Sequence, residues 1–127
     1  MPNRALYVQG MGHSSPIPAA TICGNLLFSS LITGADHART MPDTLVKQSE
    51  NMFAQMQTIM QVAGGSLTDV VKVTIWLNDR GDRKLINEMW ERWFPDPATR
   101  PARVTLNRDL GGEKKIECEI IAVLAAS

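Results

Sequence analysis

Arg100-Pro101-Ala102-Arg103-Val104-Thr105-Leu106, read together with Lys115-Ile116-Glu117-Cys118-Glu119-Ile120-Ile121-Ala122-Val123-Leu124, decides how the rest of the chain is laid out. Both runs have the composition of β-strands, and side chains on a strand alternate between two faces. In the first run Ala102, Val104 and Leu106 share one face, with Arg103, Thr105 and Asn107 on the other. In the second, Ile116, Cys118, Ile120, Ala122 and Leu124 form an unbroken apolar face, and Lys115, Glu117 and Glu119 gather opposite them. If the two strands pair side by side with their apolar faces together, Arg103 comes to the same side of the sheet as Glu117 and Glu119. Such cross-strand Arg–Glu pairs are common on the wet face of an antiparallel sheet. A cation beside carboxylates could also serve chemistry. Coordinates that set Arg103 and Glu117 on opposite sides of the sheet would refute this pairing.

Working outward, the run Val70-Val71-Lys72-Val73-Thr74-Ile75-Trp76-Leu77 within 69–78 is the strongest strand, with Val71, Val73, Ile75 and Leu77 on one face and Lys72, Thr74 and Trp76 on the other. A second helix is expected from about Asp82, burying Leu85, Ile86, Met89, Trp90, Trp93 and Phe94 and ending at Pro95-Asp96-Pro97. Upstream, Pro42 and Asp43 suit a helix start. Leu45, Ser49, Met52, Met56, Ile59, Met60 and Ala63 recur at helical spacing, flanked by Val46 and Phe53, until Gly64-Gly65 stops the run. Ala20–Cys23 and Leu26–Leu31 flank Gly24-Asn25 as a β-hairpin. Ala5-Leu6-Tyr7-Val8 is a short first strand, and Thr33–Met41 reads as a surface loop. The order is strand, hairpin, helix, strand, helix, strand, strand. It implies one α+β domain over residues 1–127, a two-layer unit with both helices on one face of the sheet. The other face, expected to carry Trp76, Arg103, Thr105, Glu117 and Glu119, has nothing in the chain to cover it and is a candidate for self-association.

Composition narrows the function classes. Thirteen Lys plus Arg balance thirteen Asp plus Glu, so no net field recruits nucleic acid or an anionic membrane. The apolar runs are short for a bilayer span, and the N-terminus lacks the apolar core of a signal peptide, so a cytoplasmic protein is expected. Cys23 and Cys118 form no recognised metal spacing with His13 and His37, and both read as reduced thiols. Cys118 falls on an apolar strand face, where cysteine packs as a small hydrophobe.

Several motifs extend over nearly the whole chain. They are Gly24-Asn25-Leu26-Leu27-Phe28-Ser29-Ser30, Ala63-Gly64-Gly65-Ser66-Leu67-Thr68-Asp69-Val70-Val71-Lys72, Ile86-Asn87-Glu88-Met89-Trp90-Glu91-Arg92-Trp93-Phe94, and Pro101-Ala102-Arg103 followed by Ile116-Glu117-Cys118-Glu119-Ile120-Ile121-Ala122-Val123. In order and spacing these resemble the RidA/YjgF family, formerly labelled endoribonuclease L-PSP. The resemblance implies a chorismate-mutase-like fold with a mixed sheet, assembled as a homotrimer with clefts between subunits. It also implies cofactor-independent hydrolysis of enamines and imines such as 2-aminoacrylate, or a larger carboxylated imine, to 2-oxo acids and ammonia. No metal or organic cofactor is called for. By the same resemblance Arg103 anchors the substrate carboxylate, Glu117 orients water with Thr105 assisting, and Ser30 and Asn87 are substrate contacts.

The chain departs from the family pattern at the site. Ile17 stands where a tyrosine is usual, Leu31 where a glycine is usual, and Thr105 where a cysteine is frequent. Ile17 and Leu31 would make the cleft narrower and less polar, which suits a larger or less polar substrate than 2-aminoacrylate. His13, in the same loop, offers a proton carrier, although a loop histidine is more often simply solvated. Two other classes of function compete: a regulatory trimer that binds small carboxylates without turnover, and an endoribonuclease or translation inhibitor. Neutral charge and the lack of a basic stripe with stacking aromatics weigh against the second.

Overall fold

The computed structural model describes residues 2–11 and 15–125. Seven strands, β1 (Arg4–Leu6), β2 (Ala20–Cys23), β3 (Leu26–Ser29), β4 (Ile32–Thr33), β5 (Val70–Leu77), β6 (Ala102–Asn107) and β7 (Ile116–Val123), make one mixed sheet. Two helices, α1 (Leu45–Val62) and α2 (Arg83–Trp93), pack on it. The sheet order is β1-β2-β3-β7-β5-β6, with β4 also paired to β7. The architecture is the α+β unit expected, with two corrections in the strands.

First, β6 and β7 are not neighbours. β5 lies between them, parallel to β6 and antiparallel to β7. The short segment joining β6 to β7 therefore crosses the end of β5. It is held there by Asn78, whose Oδ1 accepts from Leu110 N at 2.7 Å and whose Nδ2 donates to Lys114 O. Second, β4 forms where a loop was expected to begin, pairing Ile32 with Cys118 and Thr33 with Glu117. Two residues carry no readable periodicity, so only the partner strand defines them.

The helix-covered face of the sheet is the core. Val73, Ile75, Leu77, Ile116, Cys118 and Ile120 are buried there against Met52, Phe53, Met56, Ile59 and Met60 of α1 and Ile86, Met89 and Trp90 of α2. Phe53 sits among Trp90, Trp93 and Phe94, with ring centroids 5.8–6.4 Å apart, and so joins the two helices. α1 starts later than expected. Thr44, not the Pro42-Asp43 pair, caps it, its Oγ1 accepting from Lys47 N at 3.2 Å. Its end is as read: Gly64 takes φ +88°, Gly64 N donates to Gln61 O, and Gly65 N donates to Met60 O.

Two apolar expectations fail for identifiable reasons. Val46 is exposed because it lies beyond the buried stripe. Val71 is exposed while Val70 is buried, because the register shifts between Val70 and Lys72; an extra residue in the strand breaks the alternation there.

Candidate functional site

Register fixes which way each site residue points, because residues paired across a sheet share a face. Arg103, Thr105 and Asn107 stand opposite Val73, Ile75 and Leu77, on the helix-covered face. Glu117 and Glu119 stand opposite Trp76 and Thr74, on the open face. Arg103 and Glu117 of one chain are therefore on opposite sides of the sheet, with β5 between their strands. The expected pairing of the two within one sheet face is overturned. The alternation along β6 was legible; its direction was not. Its apolar set, Ala102, Val104 and Leu106, points to the open face, and its polar set turns toward α2.

The seam between β6 and α2 holds the first half of the site. Arg103 Nη2 donates to Asn87 Oδ1 at 2.6 Å, and its guanidinium carbon lies 5.0 Å from the Trp90 ring centroid. Both partners come from α2, one turn apart, on the helix face toward β6. Partial burial, and then the nearby charge of Arg83, lower the pKa of Arg103 from its ordinary value. Thr105 is the next residue on the same face of β6, and its buried Oγ1 has no hydrogen-bond partner. Arg103, Asn87 and Thr105 are thus brought together as a group.

The open face holds the second half. Glu117 is buried, at 3% exposure, and pairs with Arg108, whose guanidinium also lies over the Trp76 ring at 5.0 Å. Sequence reasoning missed Arg108. The signal was available, since continuing the β6 alternation by one residue puts it on the same side as Leu106, but it required knowing which side was open. Cys118, one residue from Glu117, points the other way into the core. Burial, followed by Glu117 and Glu119, pushes its thiol far above the usual range, so it is no nucleophile.

Ser30 follows β3, which β7 and β5 separate from β6, and is not near Arg103 in one chain; its backbone N donates to Ala19 O at 2.9 Å. Ile17 and Leu31 are exposed and border adjoining hollows of about 520 and 90 Å3, which share Gly10, Met11 and Arg39. His13 lies outside the described residues. No group of three or more His, Cys, Asp or Glu able to hold a metal occurs among the described residues. No described helix is long and apolar enough to cross a membrane.

A mixed sheet of this order, carrying two helices on one face and an arginine on the last-paired edge strand, defines a class that comparison identifies directly. Residues 13–124 match the family model described as Endoribonuclease L-PSP, and the chain belongs to that family, the RidA/YjgF group. It is 34% identical over 112 residues to the chloroplastic Reactive Intermediate Deaminase A of Arabidopsis thaliana, covering 86% of this chain and 59% of the plant protein. It is 32% identical over 109 residues to the mitochondrial protein mmf2 of Schizosaccharomyces pombe, covering 81% of this chain and 85% of the yeast protein. Among solved structures it resembles RidA from the Antarctic bacterium Psychrobacter sp. PAMC 21119, with a TM-score of 0.89 and 26% identity over 95% of this chain and 99% of that one.

Proposed function

We propose that the protein is a cofactor-independent deaminase of carboxylated enamines and imines, working as a homotrimer of chorismate-mutase-like subunits with each site shared by two copies. The observation that carries this reading is the β6–α2 seam. There Asn87 and Trp90 fix a guanidinium that has no carboxylate within 4 Å among the described residues. Only one of its terminal nitrogens is engaged by Asn87, so the rest of the fork is free to take a carboxylate bidentately. The names of the plant and bacterial relatives, reactive intermediate deaminase and RidA, support the reaction class.

The opposite orientation of Arg103 and Glu117 changes how the site is assembled. β6 is the edge strand, so Arg103 lies at the rim of one subunit, while Glu117 looks out from the middle of the open face. One copy's rim placed against the next copy's open face brings the two groups to one cleft. The open face supports such packing: Leu26, Phe28, Val104, Leu106 and Val123 are all exposed large apolar residues. Ser30, Ile17 and Leu31, on the β3 side, would line the cleft from the copy that supplies Glu117.

In that cleft Arg103 grips the substrate carboxylate and sets the C=N carbon in place. An enamine first gains a proton at its terminal carbon and gives one up from nitrogen, becoming the imine. Water, oriented by Glu117, adds to the imine carbon, and its proton passes to nitrogen; the carbinolamine hydroxyl then gives its proton to nitrogen as the C–N bond breaks, and ammonia leaves a 2-oxo acid. The substrate is electrophilic already, and Thr105 Oγ1, unpartnered in the seam, can donate to the carboxylate beside Arg103.

The test is 2-oxo acid release from freshly generated 2-aminoacrylate by wild type, Arg103→Ala and Glu117→Ala. The expected result is loss of roughly a hundredfold or more in kcat/KM for Arg103→Ala, and for Glu117→Ala a fall carried mainly by kcat. Equal rates in all three would remove the mechanism. Binding of 2-oxobutanoate without turnover of any imine would instead assign a carboxylate-binding regulator.

A further inference from the structure

Arg103 is not the only cation in the β6–α2 seam. Arg83, the first residue of α2, donates through Nη2 to Thr105 O at 3.0 Å and to Asn107 Oδ1 at 3.4 Å. Arg83 and Asn87 are four residues apart, so they stand one above the other on the same side of α2. Arg103, Thr105 and Asn107 alternate along the facing side of β6. The two side chains are therefore offset along one groove by roughly 5–7 Å, the rise of one helical turn or of two strand residues. They are close enough for Arg83 to act on the charge of Arg103. Neither has a carboxylate within 4 Å among the described residues, where Arg108–Glu117 is the one ion pair. The buried Thr105 hydroxyl, on the same side of β6, has no partner. Two like charges along one groove beside an unsatisfied hydroxyl favour an anion bound there.

We propose that Arg83 is a second substrate-binding cation and that the substrate is a dicarboxylated imine, with the acid at the imine end held by Arg103 and the distal acid by Arg83. This rests on the reading of Arg103 as the carboxylate anchor. The spacing fits acid groups separated by about two to four carbons, as in 2-iminoglutarate. Both hydrogen bonds of Arg83 use the same terminal nitrogen, which leaves its other donors for a ligand. Arg83 is exposed, Asn87 is exposed, and Arg103 is half-buried, so the groove is open at the Arg83 end.

The experiment compares hydrolysis of 2-iminoglutarate and 2-iminopropanoate, generated from glutamate and alanine by an amino-acid oxidase in the presence of a semicarbazide trap. Wild type, Arg83→Met and Arg83→Lys are measured. The ratio of kcat/KM for the dicarboxylate over the monocarboxylate is expected to fall about ten- to hundredfold in Arg83→Met and to recover in part in Arg83→Lys. A role confined to bracing the Thr105 carbonyl would lower thermal stability and both rates together and leave the ratio unchanged, which would overturn the proposal. A calorimetric arm needs no turnover: glutarate should bind the wild type at least about tenfold tighter than butyrate, and the gap should close in Arg83→Met. If neither imine is hydrolysed, the deaminase reading fails while the glutarate comparison still decides the role of Arg83. Equal affinity for glutarate and butyrate in the wild type overturns it.

Discussion

At Glu117 a carboxylate is almost wholly removed from solvent while its partner, Arg108, is half-exposed and rests on Trp76. Removing one member of such a pair leaves the buried charge uncompensated, which is costly, whereas removing both is far less so. Arg108→Ala should therefore cost about 1–3 kcal/mol in urea unfolding, less than for a fully buried pair because Arg108 is half in water. Arg108→Ala combined with Glu117→Gln should recover most of that loss; strictly additive costs in the double variant would contradict the pairing. Cys118 gives a prediction in pH. Burial holds its folded thiol proton well above the ordinary thiol range, so the unfolded chain loses that proton first and stability must fall as pH rises past about 9. Between about pH 8 and 10 the wild type should lose stability more steeply than Cys118→Val, by up to ~1.4 kcal/mol per pH unit. Parallel curves would mean that the thiol titrates freely. Residue identities on β6 and β7 were readable in advance, and so was their alternation. The face was not, because an apolar strand side says that it will be buried without saying whether by a helix or by another copy.

At the scale of elements, the β6–β7 connection sets where Arg108 and Glu117 lie, and Gln48 of α1 ties it down together with Asn78. Gln48 is buried; its Nε2 donates to Pro42 O at 2.8 Å and to Glu113 O at 2.9 Å, and its Oε1 accepts from Lys115 N at 2.8 Å. Gly34 lets this happen, since a Cβ there would come within 2.5–2.6 Å of Gln48 atoms. Gln48→Leu keeps the volume but strands two carbonyls and an amide, at a cost of about 2–4 kcal/mol, and should speed hydrogen exchange at the Lys115 amide well before global unfolding. Unchanged exchange at Lys115 would show that the connection is held without it. Helices, hairpin and the long central strand were legible from periodicity and capping residues. The insertion of β5 between β6 and β7 was not, since adjacency in a sheet is set by crossover packing of α2 rather than by closeness in sequence. Gln48 looked like any polar residue on a helix flank.

At the scale of the whole molecule, an open sheet face bearing Phe28 at 46% and Leu106 at 45% exposure, beside a cation on the rim and a carboxylate at the centre, is half of something. Arg103 and Glu117 cannot meet in one copy; the proposed reaction requires that they meet between two. Mixing Arg103→Ala and Glu117→Ala subunits, each strongly impaired alone, tests this most directly. After joint unfolding and refolding in equal amounts, a shared site is complete wherever an intact Arg103 from one variant abuts an intact Glu117 from the other. About a quarter of wild-type activity should return, and it should not return when both subunits also carry Leu106→Lys on the contact face. Activity that stays at the level of the separate variants, in mixed oligomers verified by native mass spectrometry, would contradict a site divided between copies.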